Sequence, residues 1–302
     1  MKKTIIFLIL TGLSGFMFGQ AQKDLNYLDI LKRAGKYDTT CIKDLPAFTY
    51  ESSNDSCLLS LRKKFYLDSI AGFGNETSRV LNLLHWVHNT VKHDGQHESG
   101  IININADEIL TAAIKNHTAV CCGELASTLN DCYLAMGWES RKVYCFPKDS
   151  LRNDNDSHVI NTVYISSKHK WVWVDPTNDA YVMDENGELL SIEEVRERLI
   201  QGKPLIVNPD ANWNHRISAT KDYYLDIYMA KNSYMFYCPL RSEFNYETLG
   251  RNKKIIYVYL LPLDYHRKPP FRTNEYYNQK VKTTYQFYNI YNSGLFWQKP
   301  EE

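Results

Sequence analysis

The sequence has no excess of charge of either sign, and beyond its N-terminal segment it has no long hydrophobic run. Lysine and arginine total 35, aspartate and glutamate total 35, and the formal net charge is zero. A basic excess is typical of proteins that bind nucleic acid or anionic membranes, so neither is an expected partner. No later apolar stretch is long enough to span a bilayer as a helix, and no internal repeat or low-complexity linker divides the chain.

The N-terminus has the layout of a secretory signal peptide. Lys2 and Lys3 precede an uncharged, mostly apolar run over residues 4–18, and small and polar residues follow it. This pattern predicts a signal peptide over residues 1–21 and a periplasmic or secreted protein. No cysteine directly follows the run, as a lipid anchor would require, since the first is Cys41. We therefore expect no membrane insertion after the signal peptide is removed.

The number of cysteines matters because the predicted compartment is oxidising. An oxidising compartment favours disulfides, and an odd number of cysteines leaves at least one unpaired. Three pairs and one free thiol would suit the count, but the sequence does not give the pairing. The seven are Cys41, Cys57, Cys121, Cys122, Cys132, Cys145 and Cys238.

Apolar periodicity predicts helices in the first half of the chain and strands in the second. After an irregular segment over 22–57, we expect a catalytic core over 58–203 and a β-rich C-terminal extension over 204–302. Before residue 140, helices are predicted at 57–72, 75–95, 105–116 and 122–137. Strands are predicted at 141–146, 158–165 and 170–175, a helix capped by Ser191 and Glu194 follows them, and aromatic strands are predicted at 254–261 and 283–291.

The segment "AVCCGELASTLNDCYLAMGW" places two adjacent cysteines at the start of a predicted helix. The unpaired N–H groups and the positive end of a helix dipole both favour a thiolate at this position, and the same N–H groups can stabilise an oxyanion. Cys121 and Cys122 are both in reach of this effect. A structural role or a regulatory disulfide is the alternative for each, and redox chemistry at the pair is disfavoured because adjacent cysteines form a strained ring.

A thiol nucleophile needs a base and a group that orients the base. Strand alternation puts His158 and Ile160 on one face of their predicted strand, and it puts Trp171 and Asp175 on one face of the next. If Tyr164 pairs with Trp171, His158 becomes a diagonal neighbour of Asp175, within side-chain reach. A slip of one residue would send Asp175 to the opposite face.

These segments resemble the transglutaminase-like superfamily, thiol enzymes with a papain-like α+β fold. The similar stretches are "CCGELASTLNDCYLAMGWESRKV", "SHVINTV" and "KWVWVDPTND", and with the helix before them the resemblance spans roughly residues 58–180. In the family pattern the nucleophile lies four residues before a small helical residue, so Ala126 implies Cys122. The resemblance likewise implies His158 as general base and Asp175 as the orienting acid.

Two positions depart from the family pattern. No glycine occurs in Ala119-Val120-Cys121, where the family usually has one two positions before the nucleophile, and Ile160 replaces an aromatic residue often found there. Neither change removes a catalytic group.

The resemblance therefore implies an α+β fold, in which a cysteine-bearing helix packs on an antiparallel sheet, and a cysteine-dependent acyl-transfer enzyme. Its substrate would be a peptide, a protein or a glycan-linked peptide, and hydrolysis by a protease or amidohydrolase is favoured over transferase crosslinking. The alternative is a non-catalytic module that binds a peptide or glycan on the same scaffold. The oligomeric state is not predicted.

Four histidines and two carboxylates occur close together upstream of the cysteine pair. The histidines are spread over a predicted helix and the loop that follows it, with no established metal-ligand spacing. We therefore predict no metal site there, and the thiol chemistry needs no cofactor. The residues are His85, His88, His93, His97, Asp94 and Glu98.

Overall fold

The computed structural model describes residues 26–38, 47–148, 156–250, 252–265 and 273–300. Its helices are α1 (Tyr27–Lys32), α2 (Ser56–Lys64), α3 (Leu67–Ala71), α4 (Glu76–Thr90), α5 (Ala106–Asn116), α6 (Cys122–Ala135), α7 (Ile192–Gln201), α8 (Ala230–Asn232) and α9 (Ser293–Phe296), with a 3-10 turn at Ser166–Lys168 and a π-helix at Lys221–Met229. The predicted signal peptide and Cys41 lie outside the described residues.

The strands are β1 (Thr49–Tyr50), β2 (Ser140–Phe146), β3 (His158–Ile165), β4 (Lys170–Asp175), β5 (Ala180–Met183), β6 (Ile206–Val207), β7 (Asn212–Trp213), β8 (Ile217–Ser218), β9 (Met235–Pro239), β10 (Arg241–Ser242), β11 (Lys253–Leu260), β12 (Thr273–Asn278) and β13 (Thr283–Ile290). Nine of them form one sheet in the order β12-β13-β11-β9-β2-β3-β4-β5-β6. Neighbouring strands are antiparallel except β11 and β13, which are parallel. The C-terminal strands thus extend the same sheet and do not form a layer of their own.

Helix α6 packs on one face of the sheet, against β2 and β3. Its apolar stripe, which includes Leu125 and Leu129, joins a core with α2 to α5 and with Val163 and Val172 of the sheet. The opposite face is covered by α1, α7 and the π-helix, and Trp173 is wholly buried there. Burial of both faces agrees with the α+β architecture that the sequence predicts.

Strands β3 and β4 pair as predicted, with Tyr164 opposite Trp171. This register puts His158, at the start of β3, near Asp175, at the end of β4. The capping box of α7 is also confirmed, because the Ser191 hydroxyl accepts the Glu194 N–H and the Glu194 carboxylate accepts the Ser191 N–H.

Two predicted helix boundaries are wrong. The helix predicted over 57–72 is broken at Tyr66, whose φ of 55° places it in the left-handed region. The helix predicted to reach Gly95 ends at Thr90, because the chain turns extended at Val91 and forms a bridge with the segment before α6. In that bridge the Val120 N–H donates to the Lys92 carbonyl at 2.9 Å.

Candidate active site

Cys122 is the first residue of α6 and is partly exposed. The residue before it, Cys121, caps the helix: its N–H donates to the Glu124 carboxylate at 2.9 Å. A first-turn residue has a backbone N–H without an acceptor inside its own helix. The Cys122 N–H therefore points out of the helix end beside its own sulfur.

The thiol of Cys122 is poised to ionise. Burial alone would raise its pKa, but hydrogen bonds with His158 and with His93, in that order of effect, lower the pKa to about 6. The neighbouring thiol behaves in the opposite way, since burial raises the pKa of Cys121 to about 11. The two adjacent thiols thus differ in pKa, and Cys122 is the one that ionises more readily.

His158 and Asp175 form a buried pair. His158 Nε2 lies 2.7 Å from Asp175 Oδ2, and the two residues are 1% and 0% exposed. Burial would lower the pKa of His158, but the charge of Asp175 and its hydrogen bond raise it to about 10. Because Nε2 is used by Asp175, Nδ1 is the nitrogen left for Cys122. A protonated imidazole beside an ionised thiol is therefore the favoured state near neutral pH.

The Asp175 carboxylate is held by its surroundings as well as by His158. Its Oδ2 accepts from the Tyr224 hydroxyl at 2.7 Å and from the Asn178 side chain at 3.0 Å, and its Oδ1 accepts the Thr177 N–H at 2.8 Å. Burial would raise its pKa, whereas the His158 charge and these hydrogen bonds hold the pKa below its usual range. The carboxylate stays ionised and fixed in orientation.

His93 also lines the pocket at Cys122, although its sequence context gave it no role beyond the group of upstream histidines. It lies beside the thiol because the bridge to Val120 brings the end of α4 next to the start of α6. The Trp213 indole N–H donates to His93 Nδ1 at 2.9 Å. The Asn214 side chain accepts the His93 N–H and donates to the His93 carbonyl, each at 2.9 Å. No local sequence pattern around His93 predicts its contacts with Trp213 and Asn214, because these residues are more than a hundred positions away.

The predicted C-terminal extension supplies much of this surrounding structure. Trp213 comes from the β7–β8 hairpin, and Tyr224 and Tyr228 come from the π-helix. The ring of Tyr228 lies 5.2 Å from the His158 ring, measured between centroids. The extension therefore builds the site and does not only cover it.

Two pockets meet at Cys122. One, of about 470 Å³, lies on the side of His93 and His158 and has the aromatic residues Trp213 and Tyr228 in its wall. The other, of about 890 Å³, runs along the opposite side past α6 toward β2, β9 and β11. A chain-like substrate can lie across the thiol with one part in each pocket.

The described part of the chain contains no disulfide, since all six of its cysteines are free. The three pairs suggested by the cysteine count are therefore not formed.

One group of possible metal ligands occurs among the described residues: His85, Asp179 and Asp210, whose ligand atoms lie within 4.8 Å of one another. His85 Nδ1 bonds Asp179 Oδ1 at 2.7 Å, and this group shares only His85 with the histidines considered from the sequence.

An α+β fold with a thiol at a helix N-terminus, facing an imidazole and a buried carboxylate, defines the papain-like class of thiol-enzyme folds. Residues 64–176 match the family model of the transglutaminase-like superfamily. The match contains all three predicted site residues. No helix within the described residues is both long and apolar enough to cross a membrane.

Two solved structures are similar to parts of the chain. One, from Cytophaga hutchinsonii, is provisionally described as a cysteine protease, with 19% identity and a TM-score of 0.31, and the match covers 51% of this chain and 49% of that one. The other, from Parabacteroides distasonis, is provisionally described as a protease, with 14% identity, a TM-score of 0.27, and coverage of 39% and 24%. The match thus spans about half of the first structure's chain. A search of curated proteins gave no match.

Proposed function

We propose that this chain is an exported cysteine-dependent acyl-transfer enzyme that hydrolyses amide or peptide bonds. The observation that carries the proposal is the connected set of Cys122, His158 and Asp175 at the junction of two pockets. The lowered pKa of the thiol and the raised pKa of the imidazole give a nucleophile and a proton donor in the same pH range.

The proposed reaction begins with attack of the Cys122 thiolate on a carbonyl carbon, and the Cys122 N–H stabilises the oxyanion that forms. His158 then gives its proton to the leaving amine, and a thioester remains. Water attacks the thioester while His158 takes up its proton. Asp175 keeps the imidazole oriented and stabilises its positive charge throughout.

Hydrolysis is favoured over transfer to an amine because the site is open to water. Cys122 is partly exposed where the two pockets meet. An enzyme that transfers an acyl group to an amine must keep water away from the thioester. The two-sided cleft suits an extended substrate, so we propose a peptide, a protein or a glycan-linked peptide.

The alternative is a binding module without catalysis. It would be favoured by a disulfide at Cys122 or by an imidazole out of reach of the sulfur. Cys122 is free, and its interaction with His158 lowers the pKa of its thiol, so the enzyme is the better-supported hypothesis.

The test uses a peptide mixture in water enriched in heavy oxygen, with and without a labelled primary amine. The proposal expects heavy oxygen in newly formed carboxyl groups, and no reaction with the Cys122→Ala variant. Incorporation of the amine would indicate a transferase. If the protein gives neither product and the Cys122 thiol does not react with iodoacetamide, the binding module is favoured. N-terminal sequencing of exported protein tests cleavage after the predicted signal peptide, residues 1–21.

A further inference from the structure

His93 is held in place more firmly than a loop residue that only lines a pocket. Its backbone is fixed on both sides by the Asn214 side chain. The next residue, Asp94, donates its N–H to the Val120 carbonyl at 2.8 Å. These contacts tie the residue to the segment that leads directly into α6, so the His93 ring keeps its position relative to Cys122.

The indole of Trp213 determines which nitrogen of His93 carries the proton. An indole N–H can only donate a hydrogen bond, so the His93 Nδ1 that faces it at 2.9 Å must be the acceptor. A neutral imidazole with an accepting Nδ1 carries its hydrogen on Nε2. His93 therefore presents an Nε2–H donor toward the Cys122 side of the pocket.

We infer that His93 Nε2–H is the second hydrogen-bond donor to the oxyanion formed beside Cys122, and that Trp213 is the positioning residue that fixes this tautomer. The inference rests on the proposed acyl-transfer function. His93, Cys122 and Trp213 line the same pocket, and His93 is near enough to Cys122 to help lower the pKa of its thiol. The first donor is the Cys122 backbone N–H.

The two imidazoles then have separate tasks in one reaction. When the sulfur–carbon bond forms, the electron pair of the carbonyl double bond moves to oxygen, and His93 stabilises that charge without losing its proton. When the intermediate collapses, His158 gives its proton to the leaving amine and the carbonyl re-forms. The difference follows from their partners, because an ionised carboxylate faces His158 and an N–H donor faces His93.

Two reagents separate the oxyanion donor from the thiol itself. Acylation by p-nitrophenyl acetate passes through an oxyanion, whereas alkylation by iodoacetamide does not. We expect His93→Ala to slow acylation of Cys122 by about 100-fold, the usual effect of losing one oxyanion donor. Near pH 8, above the thiol pKa of about 6, alkylation should change by no more than about threefold. His93→Gln retains an N–H donor, so its acylation should be about tenfold faster than that of His93→Ala. This variant also replaces His93→Ala in the test if His93→Ala does not fold.

Trp213→Phe tests the positioning role, because it keeps an aromatic ring and removes the indole N–H. Without the indole N–H, the hydrogen of His93 can lie on either ring nitrogen, so the ratio of the acylation rate to the alkylation rate should fall. The matched control is Trp171→Phe, which loses an indole bond of similar length, 3.1 Å to the Gln298 carbonyl, away from the thiol. That variant should leave the ratio unchanged.

The outcomes distinguish this inference from the proposed function. If wild-type Cys122 reacts with both reagents in a His158-dependent way, but His93→Ala leaves the ratio of the two rates unchanged, His93 is not an oxyanion donor and only the inference is wrong. If wild-type Cys122 reacts with neither reagent, the proposed function is wrong as well. An unchanged ratio in Trp213→Phe would overturn the positioning role.

Discussion

The pH dependence of Cys122 alkylation follows from the two pKa values in the site. The thiol has a pKa of about 6 against an ordinary value of 9, a preference for thiolate worth about 4 kcal/mol at 1.36 kcal/mol per unit. The imidazole of His158 keeps its proton up to a pKa of about 10. The ion pair therefore exists between about pH 6 and pH 10. The alkylation rate should rise through pH 6 and stay level until the imidazolium loses its proton.

The effect of His158 on the rate of Cys122 alkylation depends on pH. At pH 6 about half of a thiol with a pKa of 6 is ionised, against about 0.1% of one with a pKa of 9. A lower pKa also weakens the nucleophile, by about 20-fold over three units at a Brønsted slope of 0.4–0.5. If removing His158 returned the Cys122 pKa to 9, alkylation at pH 6 would fall about 25-fold.

The assay is iodoacetamide labelling of the purified protein and of His158→Ala across about pH 5 to 10, with the modified residue mapped by mass spectrometry. At about pH 9 the variant should react as fast as the wild type or faster, because its thiolate is the stronger nucleophile. The two rate curves should therefore cross. Parallel curves with the same midpoint would refute the ion pair, since they would show that His158 does not affect the ionisation of Cys122.

Three further predictions concern charge and burial. Asp175→Asn keeps the shape of the side chain but removes the charge that stabilises the imidazolium, so turnover should fall about 10²–10⁴-fold; a loss below tenfold would show that orientation alone suffices. Tyr224→Phe removes a 2.7 Å hydrogen bond to Asp175 and should cost about 1–3 kcal/mol of unfolding free energy in urea, and no change would mean that water replaces the hydroxyl. Arg141→Ala should cost at least about 3 kcal/mol, because the buried guanidinium donates to the Phe296 and Gln298 carbonyls. The matched control, Arg62→Ala, removes a partly exposed ion pair with Asp68 and should cost less than about 1 kcal/mol; equal losses for the two arginines would contradict the difference in burial.

The parts of the fold that depend on nearby residues were predictable from the sequence. Alternation in β3 and β4 fixes which residues share a face, and both strands have the predicted bounds, His158–Ile165 and Lys170–Asp175. Once this register is known, the proximity of His158 and Asp175 follows from it alone. The start of α6 and the cap of α7 also follow from local residue types.

The residues around the thiol could not be predicted in the same way, because they meet through distant segments. His93 reaches Cys122 through a two-strand bridge with Val120, and its partner Trp213 belongs to a hairpin much later in the chain. The π-helix that carries Tyr224 has no recognised local signature, and its tyrosines favoured a strand prediction. Such contacts are set by tertiary packing, so periodicity and propensity do not indicate them.

The proposed reaction requires that Cys122 forms a thioester with its substrate. The most direct measurement mixes the protein with an activated acyl ester, stops the reaction with acid, and locates the added acyl group by peptide mapping. We expect one acyl group on Cys122, removed by hydroxylamine, strongly reduced in His158→Ala and missing in Cys122→Ala. Acylation that is confined to the exposed Cys57, or that is unaffected by His158→Ala, would contradict it.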